Sequence, residues 1–185
     1  PIMNVFSGVG LLFGVGGATI MSILRGEGRE EETSEIFSLA FILAALSGGI
    51  ISILGLVYLE RFSIFMGASQ GIVLNMSKEY LVPLFLASMF FVVNTLLTVF
   101  VRNDNGPRLA MTAMLVSSIS NVILDYVFLF IFDWGIRGIG IATALSPIIS
   151  LCILSSHFIR RKNSISLVKI GFQSRVLRRI VSNGI

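Results

Sequence analysis

The chain has 185 residues, of which 55% are hydrophobic and 13% are charged, and its mean hydropathy is +0.91. This composition indicates an integral membrane protein and excludes an ordinary water-soluble domain. The net charge is +4. The basic residues cluster at predicted membrane edges, where anionic lipid headgroups account for them better than nucleic acid does. The lipid bilayer is therefore a predicted partner, and nucleic acid is not.

Five long apolar runs follow one another at residues 2–24, 36–59, 81–101, 109–132 and 139–159. Each is long enough for a helix to cross the hydrocarbon, which takes about 20 residues. Backbone groups in lipid must be satisfied within their own segment, so the runs predict helices. The predicted fold is all-α, a polytopic bundle of five transmembrane helices over residues 1–159. A basic amphipathic connector follows over 160–185, in which residues 165–185 predict a helix on the cytoplasmic leaflet or a link to another span.

Small residues mark the packing faces of the first two runs. Gly10, Gly14 and Ala18 share one face at four-residue spacing, which lets helices approach closely in lipid. Four small residues of the second run predict the same packing: Gly48, Gly49, Ser52 and Gly55. The acidic loop at 27–35 precedes that run, where we expect Thr33 or Ser34 to cap the second helix. A short surface helix is expected around 70–80.

Polar residues inside the later runs are few. Asn94 and Thr98 lie in the third run and are possible cavity-lining residues, although hydrogen bonds between helices explain them equally well. Pro147 lies in the fifth run and predicts a helix kink, since it cannot donate to the carbonyl of Thr143. A passive packing kink is the alternative. His157, the only histidine, is expected at the membrane interface without a polar partner, and the single Cys152 excludes an internal disulfide.

Asp125 is the only acidic residue in the five runs, and Asn121 lies one helical turn before it. A charge at the centre of a membrane helix costs about 2.5–3.5 kcal/mol on insertion scales, so such acids usually mark ion or substrate paths. Asp125 lies about 12 Å along the helix from the loop that follows it, a depth similar to that of Thr143 on the next helix. Together, the side chains of Asn121, Asp125 and Thr143 predict either a cation site, with Na⁺ as a possible ligand, or a proton-binding site at Asp125. The alternative is an Asp that only ties helices together.

Basic residues alternate between the two sets of loops. Eleven of the 14 Lys and Arg residues fall in the first and third loops and in the tail, and three fall on the other side, at Arg61, Lys78 and Arg137. The positive-inside rule therefore predicts a cytoplasmic tail and an external start. An external start with five spans, and Pro at residue 1, suggest that an earlier span precedes this sequence.

Four stretches in order are similar to one transporter family: FSGVGLLFGVGGAT at 6–19, RNDNGPR at 102–108, NVILD at 121–125 and WGIRGIGIAT at 134–143. The chain resembles multidrug and toxic compound extrusion (MATE) transporters over essentially its whole length. Members have twelve helices in two lobes and export cationic or amphipathic compounds in exchange for sodium or protons. The resemblance implies that these five spans match helices two to six of the amino-terminal lobe.

The resemblance also implies residue roles. Asn121, Asp125 and Thr143 match the positions that hold the cation or proton in the family's amino-terminal lobe. The family completes this site with an acid on the first helix, which this sequence does not contain, so we expect the chain alone to bind ions weakly.

The expected function is an ion-coupled multidrug antiporter in the cell membrane, with the remaining helices of the full transporter and small cationic or amphipathic substrates as partners. We expect no cofactor beyond a coupling ion, Na⁺ or H⁺, and no catalytic residue. A lipid-linked oligosaccharide flippase of the same superfamily and a non-transporting membrane scaffold are the alternatives. An intramembrane aspartyl protease would need two intramembrane acids, and the runs contain one.

Overall fold

The computed structural model describes residues 2–68, 71–159 and 165–168, together with Ile180 and Gly184. Helices make up nearly all of that part of the chain, which contains no strand, so the predicted all-α fold is confirmed. The α-helices are α1 (Ile2–Gly26), α2 (Glu30–Val57), α3 (Leu59–Phe65), α4 (Ile72–Leu86), α5 (Ser88–Asn103), α6 (Pro107–Tyr126) and α7 (Gly135–Ile159). A π-helical turn, Val127–Ile131, continues α6.

Four helical segments are long and apolar enough to cross a membrane: Ile2–Gly26, Glu32–Val57, Pro107–Ile131 and Gly135–Ile159. The pair α4 and α5 passes the same test together and is bent by 50°, which makes a fifth span if the pair crosses as one. We call the two ends of the bundle the Asp104 end, where α1, α5 and α7 finish, and the Trp134 end, where the chain turns from α6 to α7.

α5 lies at the centre of the bundle, in contact with α1, α2, α4, α6 and α7. Its side chains Val92, Leu96 and Phe100 are fully buried. Close packing against the predicted small residues of α1 is confirmed: a Cβ on Gly10 would lie 2.7 Å from the Val92 carbonyl oxygen. A Cβ on Gly14 would lie 3.2 Å from the Leu96 Cα. The small residues therefore set the distance between α1 and the central helix.

The bend between α4 and α5 occurs where a hydroxyl enters the helical hydrogen-bond ladder. Oγ of the buried Ser88 lies 2.8 Å from the Phe85 carbonyl oxygen and 2.9 Å from the Gly48 carbonyl oxygen of α2. Side chains inserted into the ladder are a known cause of sharp kinks. The bend thus also ties α5 to α2.

The predicted helix at 70–80 is confirmed from Ile72, where most of its residues are exposed, but it is longer than expected. It forms the first half of α4, which continues to Leu86 and packs against α7. Gly140 of α7 allows this contact, since a Cβ there would lie 2.7 Å from the Tyr80 carbonyl oxygen. The prediction ended the helix too early because residues 81–86 belong to the next apolar run.

A buried carboxylate connects three segments at the Asp104 end. The Asp104 side chain is fully buried; Arg25 donates to one of its oxygens, and Nε2 of His157 lies 3.0 Å from the other. Arg25 also donates to the Asn103 carbonyl at 3.0 Å. The expectation that His157 has no partner is therefore wrong, because Asp104 lies 53 positions away in the sequence. The ends of α1 and α7 are both fixed to the turn after α5.

The chain after α7 returns to the start of α2. Ser34 accepts from the Ser166 N–H at 3.1 Å, and Ser38 accepts from the Val168 N–H at 2.8 Å. The predicted capping by Thr33 or Ser34 is wrong, since α2 begins at Glu30 and has no side-chain cap. Residues 165–168 are not helical, so the predicted helix does not begin at 165. Apart from Ile180 and Gly184, the rest of the predicted connector lies outside the described residues.

Two adjacent glycines of α2 give a matched test of this packing. A Cβ on Gly48 would lie 2.6 Å from the Met89 Cα, whereas one on Gly49 would meet no atom within 4 Å, so the predicted packing role of Gly49 is wrong. We expect Gly48→Ala to destabilise the protein by about 1–3 kcal/mol, because backbone atoms must move apart. Gly49→Ala should be neutral or stabilising by about 0.5–1 kcal/mol. Unfolding in detergent measures both, and equal stabilities of the two variants would contradict the packing.

Candidate functional site

The predicted site residues lie on two neighbouring antiparallel helices. Asn121 and Asp125 are four residues apart on α6 and project from one face of it. Thr143 lies on α7, which packs along α6. All three side chains are partly buried, whereas most of the rest of α6 is exposed. The polar face of α6 is therefore turned inward.

Two atoms of this site are buried without a hydrogen-bond partner. They are Oδ1 of Asp125 and Nδ2 of Asn121. Burying a polar group without a partner costs about 1–3 kcal/mol, and more when the group is charged. A cation or a proton at Asp125 would remove that cost. Rotating the Asn121 amide would direct its oxygen instead of its nitrogen toward the same place.

Thr143 contributes oxygen atoms from α7. Its hydroxyl donates to the Ile139 carbonyl at 2.9 Å, so the oxygen lone pairs remain able to accept or to coordinate. Pro147 has no N–H and cannot bond the Thr143 carbonyl. α7 is nevertheless one helix from Gly135 to Ile159, and the kink at Pro147 stays a prediction.

The possible cavity-lining residues lie on α5. Thr98 is buried and donates to the Asn94 carbonyl at 2.8 Å. Oδ1 of Asn94 is buried without a hydrogen-bond partner. The Asn94 side chain is therefore not used to tie helices together through that oxygen, and it shares the unsatisfied character of Asn121 and Asp125.

The sequence analysis missed Ser150. Its side chain is 1% exposed and its Oγ has no partner. Ser117 of α6 donates to the Ser146 carbonyl at 2.7 Å, the carbonyl that a serine at 150 would normally use. Ser150 follows Thr143 by seven residues, about two turns, so it shares that face of α7. This seven-residue spacing from Thr143 could have indicated Ser150 in the sequence.

Chemically, the site offers one carboxylate, one amide and one hydroxyl. These are the hard oxygen ligands that small cations prefer, and the carboxylate can also take a proton. No group of three His, Cys, Asp or Glu side chains suited to a metal occurs in the described part of the chain.

Known proteins similar to this chain are transporters. The MatE family model matches residues 1–127. The chain is 30% identical over 167 residues to the multidrug export protein MepA of Staphylococcus saprophyticus, covering 90% of this chain and 37% of that protein. It is also 30% identical over 168 residues to MepA of Staphylococcus aureus strain MRSA252, and this match again covers 90% of this chain and 37% of that protein. The chain thus spans less than half the length of these relatives.

Solved MATE structures share the fold. An inward-facing MATE transporter superposes with a TM-score of 0.91 at 22% identity, over 99% of this chain and 42% of that one. An outward-facing MATE transporter superposes with a TM-score of 0.83 at 26% identity, over 96% of this chain and 41% of that one. The family model covers more than half of the sequence, and the fold agrees with it. The chain belongs to the MATE family of membrane transporters.

Proposed function

We propose that this chain forms part of an ion-coupled multidrug antiporter, in which Na⁺ or H⁺ at Asn121, Asp125 and Thr143 drives the export of cationic or amphipathic compounds. One observation carries the proposal: Oδ1 of Asp125 is buried between helices and has no hydrogen-bond partner. A purely structural Asp in a scaffold would be hydrogen-bonded to its neighbours. An unsatisfied carboxylate instead gains free energy when a cation or proton arrives.

The relatives support the export of drugs. Two of them bear the name multidrug export protein, and the fold matches both an inward-facing and an outward-facing transporter. Transport then requires two arrangements of the lobes around a central cavity. An ion can drive the exchange only if it binds one arrangement more tightly than the other. The Asp125 site supplies that difference by drawing α6 and α7 together around the ion.

The ion needs more ligands than this chain offers. Asn121, Asp125 and Thr143 provide three side chains from two helices, and the chain corresponds to 37% of the relatives' length. We propose that the remaining helices of the full transporter complete the site and form the second half of the substrate cavity.

Charge at the two ends of the bundle supports the proposed orientation in the cell membrane. Arg25 and Arg108 lie at the Asp104 end, where Arg108 and His157 line one cavity. Lys78 and Arg137 line another cavity beside α4 and α7. Lys78 donates to Glu60, which lowers the pKa of that carboxyl below its usual range. The Asp104 end has the larger excess of basic residues in sequence, so it faces the cytoplasm.

Neutralising Asp125 tests the coupling. We expect Asp125→Asn to abolish export driven by an ion gradient in proteoliposomes, because the amide keeps the size of the side chain but has no negative charge to balance a cation and takes up no proton. Asp133→Asn is the matched control: Asp133 is exposed, has φ 53°, and Asn tolerates that conformation. Ion-driven export that survives in Asp125→Asn would contradict the proposal.

Cysteine labelling tests the orientation. In a Cys152→Ser background, we expect an impermeant maleimide on intact cells to label Asp133→Cys and not Glu27→Cys. Both positions are exposed and lie at opposite ends of the bundle. In permeabilised cells, the maleimide should label both Asp133→Cys and Glu27→Cys. The reverse pattern on intact cells would place the Asp104 end outside.

A further inference from the structure

The helix that carries Asp125 changes its winding immediately after that residue. α6 is α-helical to Tyr126, and the π turn Val127–Ile131 follows. The Phe132 N–H donates to the Val127 carbonyl, five residues back, at 3.0 Å. A π turn takes up more residues than an α turn, so it rotates everything beyond it relative to the face of α6. Such turns are rare and frequently occur at functional sites.

Three aromatic side chains close the hairpin beyond the π turn. Phe128, Phe132 and Trp134, which we call the aromatic clasp, stack on one another with ring centroids 5.0–6.0 Å apart. The backbone N–H of Trp134 donates to the backbone carbonyl of Phe128 at 2.9 Å. Aromatic pairs at these distances are favourable beyond the area they bury, so the clasp stabilises the π turn in its present register.

The start of α7 packs directly on the clasp. A Cβ on Gly138 would lie 2.9 Å from the Phe128 Cβ and 3.0 Å from the Trp134 Cβ. The absence of a side chain at Gly138 therefore permits this contact. Phe128 is three residues from Asp125 on one helix, and Gly138 is five residues from Thr143 on the other. The clasp is thus linked by short helical segments to both sides of the candidate ion site.

We propose that Phe128 is a positioning residue for Asp125, and that the aromatic clasp rearranges when the site gains or loses its ion. This inference rests on the proposed function of Asp125. An ion held between α6 and α7 changes the spacing of the two helices at Asp125 and Thr143. The π turn separates Asp125 from the clasp, and a shift of one residue in its hydrogen bonds converts it to an α turn. The movement at Asp125 therefore reaches Phe128 and Trp134.

Trp134 is the only tryptophan of this chain and reports on the clasp. We would label the native protein with 5-fluorotryptophan in lipid nanodiscs and assign the ¹⁹F resonance of residue 134 with Trp134→Phe. Asp125→Asn is expected to shift that resonance. The control Asp133→Asn removes a charge next to Trp134 without touching the ion site, and the charged residues Lys78, Glu79 and Arg137, which line one cavity beside α4 and α7, stay unchanged in both variants. A resonance that moves with Asp133→Asn and not with Asp125→Asn would overturn the proposal.

A second variant separates positioning from simple stability. The export assay identifies the driving ion, and its half-saturating concentration is then measured for Phe128→Leu. We expect that concentration to rise by about fivefold, because Phe128→Leu removes both ring contacts of Phe128, with Phe132 and with Trp134, and we expect Phe128→Tyr to restore it. Unchanged ion affinity in Phe128→Leu would overturn the positioning role. A proportional loss of activity without a change in affinity would also overturn it.

The two claims fail separately. If Asp125→Asn loses ion-driven export but the ¹⁹F resonance of Trp134 does not shift, the proposed rearrangement of the clasp is overturned and the proposed function stands. A Trp134 response to Asp125→Asn in a protein that exports nothing under an ion gradient would overturn the proposed function instead.

Discussion

The requirement that polar groups be satisfied inside an apolar bundle governs this structure. Backbone groups meet it by forming helices, and most buried hydroxyls meet it by bonding to the carbonyl four residues back, as Thr98 and Ser146 do. Among the described residues, the buried side-chain atoms that do not meet it belong to Asn94, Asn121, Asp125 and Ser150. All four lie on α5, α6 and α7. The exceptions therefore lie on the same helices as the candidate site.

Two aspartates in the same bundle show the contrast. Asp104 is fully buried, yet both of its oxygens have cationic or imidazole partners, and it fixes α1 and α7 to the turn after α5. Asp125 is less buried, and one of its oxygens has no partner. Removing a partner from a buried ion pair costs about 3–5 kcal/mol, so the Asp104 network is suited to hold one arrangement. The proposed role of Asp125 rests on this difference, because a cation or a proton would satisfy its unpartnered oxygen.

Hydropathy and small-residue spacing predicted the helical membrane fold and the contact between α1 and α5, because both depend on local sequence and on one periodic face. The Asp125 region could be predicted because an acid in an apolar run is costly anywhere. The partner of His157, the bend at Ser88 and the docking of residues 166–168 on Ser34 and Ser38 depend on residues far apart in sequence. The π turn has no signal in the sequence, since its apolar residues also suit an α-helix.

Thermal unfolding at several ion concentrations tests the central claim, that Asp125 is a ligand site rather than a helix tie. A ligand that binds only the folded protein raises its stability in proportion to the logarithm of concentration above Kd. The Tm of the wild-type protein should rise with Na⁺, or with H⁺ if the proton is the coupling ion. The Tm of Asp125→Asn should not show the rise with that ion. Equal Tm responses of the two proteins to both ions would contradict the account.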